Sequence, residues 1–253
     1  EERERLRQQL MQSDKMAAVG QLAGGIAHEI NNPLGVILGF AQIAGRNIKE
    51  SDALHMPLKS IEREAVRCKK LVSDLLTFSR SYKSAIERIS LNTAIDSALV
   101  LVKTRARTQN IEIISVFDGN IPEIMANSNQ LQQVIINLCN NAIDAIPDGA
   151  ASRRVTVKTS SFVAAEQSSA EDERALPQQS NFIEIFVSDT GTGMSEEVRK
   201  HLFEPFFTTK EVGKGTGLGL SLVYEIVKKH KGTIEVESEK DRGTVFKIKL
   251  PIE

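Results

Sequence analysis

The sequence predicts an α+β protein in two parts, and three observations predict it. A helical apolar period fills residues 22–79, an alternating apolar period takes over after residue 86, and helix-length apolar patterns sit between the alternating runs. The expected architecture is an N-terminal antiparallel helical hairpin over residues 1–86, paired with a second copy as a dimeric four-helix bundle, followed by a C-terminal α/β sandwich over residues 87–253. A chain of 253 residues is long enough for both parts.

From Leu22 to Ile48, apolar residues recur at 22, 26, 30, 34, 37, 41, 44 and 48, the three- and four-residue steps of a helix with one apolar stripe. The charged segment before it, with Leu6 and Leu10, is expected to extend this helix upstream. Glu50-Ser51-Asp52 interrupts the pattern and offers an N-cap. A second stripe follows at Leu54, Leu58, Ile61, Ala65, Cys68, Val72, Leu75 and Ser79, whose alternating steps of four and three approach a heptad. Two helices on a short turn bury little by themselves, which is the reason to expect a second copy. The heptad fails near Lys83 to Ile89, the expected linker. Beyond it, IEIISV (111–116), RVTVKT (154–159), FIEIFVS (182–188), TIEVES (233–238) and TVFKIKL (244–250) alternate as strands, with helical patterns at 91–107, 129–146 and 217–230. The polar, turn-rich stretch 161–180 is expected to be a long hairpin loop.

Composition excludes several classes. The net charge of −1, with 26% charged residues, supplies no basic field for nucleic acid, and 5% aromatics with no tryptophan supply no base-stacking surface. No apolar run approaches the ~20 residues of a membrane span. The charged start EERERLRQQL, without an initiator methionine, reads as a cut piece of a longer cytoplasmic protein, with membrane contact only through an upstream region. Cys68 and Cys139 lie in apolar-periodic segments without metal-ligand spacing.

The stretch GGIAHEINNPL (24–34) is the first candidate for chemistry. Pro33 has no N–H for the Glu29 carbonyl and crowds it, so a kink is expected there. At ~100° per residue the stripe centres about 65° from Leu22 and His28 falls near 240°, so the imidazole points away from the bundle core, with Asn32 on nearly the same face. A solvated surface histidine is the plain alternative. The adjacent Glu29 argues for more: a carboxylate holding one ring nitrogen leaves the other free as a nucleophile.

In QLQQVIINLCNNAIDAI (130–146), Leu131, Val134, Leu138, Ala142 and Ala145 share one helical face, while Asn137 and Asn141 project together from another. Paired amides suit Mg²⁺ held through oxygen and water beside substrate phosphates; two exposed asparagines are the bland reading. SDTGTGM (188–194) sets Asp189 at a strand end before Gly191 and Gly193, where a carboxylate can accept from an exocyclic amine as the backbone approaches a flat ligand. VGKGTGLGLSLVYEIV (212–227) sets Gly213, Gly215, Gly217 and Gly219 before an apolar helix, whose free N–H groups and dipole favour an anion. Between the two clusters, FEPFFTTK (203–210) carries three phenylalanines that could serve as core or anchor a hinged flap.

In this order the motifs resemble those of the sensor histidine kinases of two-component signalling. AHEINNPL resembles the family's phosphoacceptor box, of the nitrogen-regulator and acetoacetate-sensor form, and INLCNNAIDA its N-box. DTGTGM, FEPFFTTK and GKGTGLGL resemble its first glycine box, F-box and second glycine box. The resemblance covers nearly the whole chain apart from the N-terminal helix and the 161–180 loop. It implies that the C-terminal part is an ATP-binding domain of the gyrase, chaperone and histidine-kinase type. His28 would be the phosphoacceptor, Glu29 its base and orienter, and Asn32 the residue that aligns water for dephosphorylating the partner. Asn137 and Asn141 would hold Mg²⁺ and the ATP phosphates, and Asp189 would read the adenine amine. Gly191, Gly193, Gly215, Thr216, Gly217, Leu218, Gly219 and Thr244 would frame the nucleotide, with Lys210 and Lys214 reaching the phosphates. The implied partners are a second copy and the receiver domain of a response regulator. The ATP-driven clamps of the gyrase type, which residues 88–250 also resemble, activate water with a glutamate one turn before the residue matching Asn141. Asn137 stands at that position here, so the hydrolytic base is missing.

Overall fold

The computed structural model describes residues 30–80, 85–165, 179–211 and 215–252. The chain forms two compact units. Residues 85–209 and 219–253 make the second, and residues 210–218 are grouped with the helical N-terminal part.

In the first unit, helix α1 runs over 30–46 and α2 over His55–Arg80. The turn between them is closed by Asp52, whose Oδ1 accepts from Leu54 N at 2.9 Å while its carbonyl accepts from His55 N at 3.0 Å. Asp52 therefore makes an Asx-type turn ahead of the helix and is not itself the residue flanking its first turn, as expected from sequence. Pro57 falls in the first turn of α2, where a missing N–H costs nothing. Gln42 Nε2 donates to Glu62 Oε1 at 3.1 Å across the antiparallel pair. The apolar stripes do not behave as single faces. Leu34 and Ala41 on α1, Ile48 in the turn after it, and Leu58, Ala65 and Val72 on α2, each seven apart, are buried or half-buried; Ile30 and Ile37, and Leu54, Ile61 and Cys68, are exposed. One half of each heptad is spent within the hairpin and the other half faces out. Chain 30–46 is helical through Pro33, while the Glu29 carbonyl, where a kink was expected, and the upstream extension of the helix lie outside the described residues.

The second unit is a five-stranded sheet in the order β2-β4-β5-β7-β6, built from Glu112–Val116, Arg154–Ala165, Gln179–Asp189, Thr244–Pro251 and Thr233–Ser238. Only β2 and β4 are parallel. Helices α3 (Leu91–Thr108), α4 (Ser128–Ala145) and α6 (Gly219–Lys229) supply the other layer, with α4 packed against α3, α6 and β5. Alternation decides the faces: on β7, Thr244, Phe246, Ile248 and Leu250 point inward, whereas Lys247 and Lys249 point outward to Glu184 (2.7 Å) and Glu235 (3.6 Å). Ile95, Leu99, Leu131, Ile135, Leu138, Ile183, Ile185 and Ile248 make the fully buried centre.

Two expectations are corrected here. The stretch 161–180 is not a loop throughout: β4 continues to Ala165 and β5 begins at Gln179, with Phe162 and Phe182 paired across the ladder and their rings 5.7 Å apart. A polar composition averaged over the stretch hides the short β-forming run SFVAA; residues 166–178 lie outside the described residues. The linker is also shorter than expected, because Glu87–Ile89 is strand β1, paired with β3 (Ile124–Ala126), and Ile89 is buried; residues 81–84 are not described. Three-residue strands show no measurable alternation, so neither was legible, and the short α5 (Glu196–His201) was missed for the same reason.

Helix ends are chemically specified. Asn127 Oδ1 accepts from Gln130 N at 2.9 Å at the start of α4, and Ser195 Oγ from Val198 N at 3.3 Å before α5. α3 and α6 both end in the paired-bond motif that follows a left-handed residue. Asn110 (φ 52°) and Lys231 (φ 56°) are those residues; Ile111 N returns to Ala106 O at 3.0 Å and Gly232 N to Val227 O at 2.9 Å. Asparagine adopts this backbone readily, whereas lysine does so at a steric cost. Lys231→Gly is therefore expected to stabilise the second unit by about 1 kcal/mol. Thermal unfolding should show this as a rise of roughly 2–4 °C.

Candidate functional site

Helix α4 brings the two amides together. No charged residue occurs from Ser128 to Asn141, so one side of the helix can be core and the other merely polar. Its core residues are buried, which sets its rotation and leaves Asn137 and Asn141 half-buried at its edge. Asn137 Oδ1 accepts from Gln133 Nε2 at 2.8 Å, and its Nδ2 donates to the Gly219 carbonyl at 3.2 Å, the first residue of α6. A Cβ on Gly219 would lie 3.9 Å from Asn137 Cγ and 4.0 Å from Asn141 Nδ2, so the glycine faces both amides and leaves the space between them open.

Asp189 ends β5. Its Oδ1 accepts from Gly191 N at 2.8 Å and the carboxylate also receives the Thr244 backbone N–H. Burial outweighs these two bonds and pushes its carboxyl up to about 6. The loop after it is held very tightly. A Cβ on Gly191 would sit 2.6 Å from the Ala145 carbonyl, which accepts from Thr192 N at 3.0 Å, so the loop lies on the C-terminal end of α4, one turn beyond Asn141. Gly193 combines φ 62° with a position where a Cβ would be 2.0 Å from the Glu239 carbonyl. Asp189, Gly191 and Gly193 are thus clamped between α4 and the β6–β7 turn.

Ser238 completes the clamp and was not singled out by the sequence. Its Oγ accepts from Met194 N at 2.9 Å, donates to the Gly243 carbonyl at 3.0 Å and lies 2.9 Å from Thr244 Oγ1. Gly243 was also missed; at φ 85° a Cβ there would be 2.1 Å from the Asp189 carbonyl. The one available signal was its place before a strand, in DRGTV. Thr244 is buried, with its hydroxyl turned to Ser238 and its backbone to Asp189.

The second unit therefore brings together Asn137, Asn141, Asp189, Gly191, Gly193, Gly219 and Thr244. Lys210, Gly215, Thr216, Gly217 and Leu218 fall in the segment grouped with the first unit; there Gly217 has φ 67° and Thr216 Oγ1 accepts from Leu218 N at 3.4 Å. Asn32 is exposed on α1. His28, Glu29, Gly213 and Lys214 lie outside the described residues. Of the three phenylalanines, Phe203 packs on Tyr224 (5.3 Å) and Phe207 on His201 (5.7 Å), while Phe206 is exposed at φ 66°.

Residues 126–253 match the family of histidine kinase-, DNA gyrase B- and HSP90-like ATPases, and residues 18–81 match the His Kinase A phospho-acceptor domain. The chain belongs to the sensor histidine kinases. Among its relatives, the sensor kinase CckA of Brucella abortus is 41% identical over 250 residues, covering 99% of this chain and 26% of CckA. The kinase chain spans about a quarter to a half of the length of the curated relatives it matches. In fold it is similar to full-length ShkA, solved in complex with AMPPNP (TM-score 0.65, 24% identity, 92% of this chain and 46% of that one). It is similar also to the histidine kinase ThkA in complex with the response regulator protein TrrA (TM-score 0.57, 24% identity, 98% of this chain and 66% of that one).

The raised carboxyl of Asp189 has a measurable consequence. At about 1.4 kcal/mol per pKa unit, its buried charge costs on the order of 3 kcal/mol at neutral pH. Because the folded-state value lies above the ordinary 3.8, the folded kinase holds this proton more tightly than the unfolded chain. The penalty is absent below about pH 3.8 and complete above about 6. Asp189→Asn keeps an oxygen for both N–H donors and removes the charge. Denaturant titrations should find the variant more stable than the native kinase at pH 8, with the gain shrinking towards pH 4.

Proposed function

We infer that the chain phosphorylates itself on His28 with ATP and passes the phosphoryl group to an aspartate of a response-regulator receiver domain. The observation that carries this reading is the junction of Asn137, Asn141 and Gly219 beside the Asp189 loop, in a unit of the ATPase family downstream of a phospho-acceptor segment. The domain boundary is placed between residues 86 and 87, consistent with β1 opening at Glu87.

Asp189, at the end of β5, accepts from the exocyclic amine of adenine, and the backbone at Gly191 and Gly193 lets the ring approach. Asn137 and Asn141 face the phosphates, and Lys210, Lys214, Gly215, Thr216, Gly217, Leu218 and Gly219 are assigned to the nucleotide from the resemblance of their motifs to those of the family. Among the described residues no three His, Cys, Asp or Glu side chains gather as a metal cage. Two neutral amides suit Mg²⁺ that keeps water and phosphate oxygens as its other ligands. Bound Mg²⁺ would offset the phosphate charge. The chain's own part is positioning. Glu29 takes the hydrogen bond, and finally the proton, of one imidazole nitrogen. The other nitrogen of His28 forms a bond to the γ-phosphorus as the bond from phosphorus to the bridging oxygen breaks and ADP departs.

Transfer to a regulator has the support of the ThkA complex with TrrA, a kinase of this fold solved with its regulator. Asn32, exposed on α1, is suited to align a water that attacks the phosphoryl group of the regulator's aspartate and releases it as inorganic phosphate, the phosphatase reaction. The unit of function is a homodimer. Ile30, Ile37, Leu54 and Ile61 are each 40% or more exposed at seven-residue spacing, the pattern of a bundle seam awaiting its second half. The catalytic core is assigned to the cytoplasm, where ATP and regulators are found.

Incubation with γ-labelled ATP and Mg²⁺ tests the reaction. Label that is acid-labile, alkali-stable and absent from His28→Gln is expected; label retained by the variant, or none despite ATP binding, would remove the kinase reading. Light scattering tests the seam. The native chain should have the mass of two copies, and Ile37→Asp with Ile61→Asp the mass of one.

A further inference from the structure

His230 has no role in the reading above, yet both of its ring nitrogens are engaged. At the end of α6, Nδ1 lies 2.8 Å from the Ile226 carbonyl and Nε2 lies 3.0 Å from the backbone nitrogen of Asn127. A carbonyl only accepts, so Nδ1 carries the proton; a backbone N–H only donates, so Nε2 presents its lone pair. The ring is therefore neutral and in one tautomer.

Asn127 is the junction of three segments. Its side chain is buried, caps α4 through Gln130 N, and donates from Nδ2 to the Ala85 carbonyl at 2.7 Å, where the chain enters the second unit. His230 adds the C-terminal end of α6. At the opposite end of the same antiparallel helix pair, Asn137 Nδ2 holds the Gly219 carbonyl. The two fastenings stand about 15 Å apart along each helix. The slide of α6 along α4 sets how Gly219 meets Asn137 and Asn141, and these two bonds fix that slide.

We propose that His230 is a positioning residue for the nucleotide site: as a neutral acceptor at the Asn127 N–H it sets α6 against α4, and loss of that acceptor, by substitution or by protonation, weakens nucleotide binding. The inference rests on the nucleotide reading of Asn137, Asn141 and Asp189.

The surroundings favour the neutral ring. Burial opposes any charge and outweighs the Ile226 carbonyl, which favours the protonated ring, while Lys229 on the same helix opposes a second positive charge, so the imidazole is held below its ordinary 6.5. From α4, Ser128 to Asn141 carries no charged side chain; its one titratable group, the Cys139 thiol, is buried and held neutral by that burial. From β1, Glu87 pairs with Ala126 but is exposed, and Lys231 follows in the terminal turn. A protonated Nε2 would set donor against donor at the positive end of the α4 dipole. The bond is thus fully present above pH 6.5 and is lost as pH falls through the ring's folded-state midpoint, which lies below 6.5.

The test compares the native chain with His230→Gln, whose amide oxygen can accept but does not titrate, and His230→Phe, which keeps bulk without an acceptor. Amide exchange at Asn127 is read without nucleotide, ring ¹⁵N shifts on the native chain across the acid range, and ADP dissociation constants at pH 8 and at a pH below the ring's own midpoint, located from those shifts. Phe is expected to speed Asn127 exchange and to weaken ADP binding about tenfold at pH 8, the loss of one part-buried hydrogen bond, with the gap to the native chain narrowing at the lower pH. Between the two pH values the native chain should lose affinity more steeply than His230→Gln. Asp189 titrates in both proteins, so only their difference is read. Unchanged exchange and affinity in the Phe variant would overturn the proposal. So would a native ring proton on Nε2, or a Gln variant as pH-sensitive as the native chain. Should the Phe variant not fold, the ring shifts and the Gln comparison decide. A native chain that binds no ADP would instead overturn the nucleotide reading, leaving Asn127 exchange to judge the hydrogen bond.

Discussion

Burial of one helix, which carries no charged residue before Asp144 in its last turn, is the constraint on which the rest of the second unit depends. α4 must fill the space between α3, α6 and the sheet with Leu131, Ile135, Leu138 and Ile143, all essentially inaccessible to solvent. A close-packed core leaves a helix no freedom to rotate. Asn137 and Asn141 are therefore not free surface amides; the core holds them at the helix edge, directed at the start of α6. A charged residue at either place would have to be half-buried without a partner. Two neutral amides avoid that cost and still offer oxygen to a cation and N–H to a phosphate.

The same economy appears around Asp189, with the opposite sign. Here the fold accepts a buried carboxylate and supplies only two backbone N–H groups in return. The loop that follows is pinned by contacts too close for a side chain, at Gly191 on α4 and at Gly193 on the β6–β7 turn, and Ser238 bonds to both sides of the seam. The carboxylate is held in place by rigidity of its surroundings, so a ligand that donates to it meets a preformed acceptor. In the hairpin unit the reverse holds: half of each heptad remains open, and that unit's completion depends on a second molecule.

Much of this was legible in the residue pattern. The runs at 233–238 and 244–250 became strands at those positions, and the helical pattern at 129–146 became α4 within a residue at each end. Asp189, Gly191 and Gly193 were recognisable because a strand-terminal acid followed by spaced glycines has few other uses. Ser238 and Gly243 were not, because a serine ending a strand and a glycine in a hairpin are common everywhere. The strands at Glu87–Ile89 and Ile124–Ala126 were too short to show a period, and the heptads did not reveal which half would be covered.

The sequence by itself determined the secondary-structure periods, the order of the motifs, the absence of charge along α4 up to Asp144 and the two-part architecture. These follow from rules that act within a few residues: side-chain direction along a helix or strand, backbone freedom at glycine, and capping by asparagine and serine. Only the tertiary structure decided that His230 would meet Asn127, 103 residues away, that Asp189 would be half-buried, and that Gly219 would face both amides. Such pairings are settled when layers pack, and packing is a property of the whole core, which no local pattern encodes.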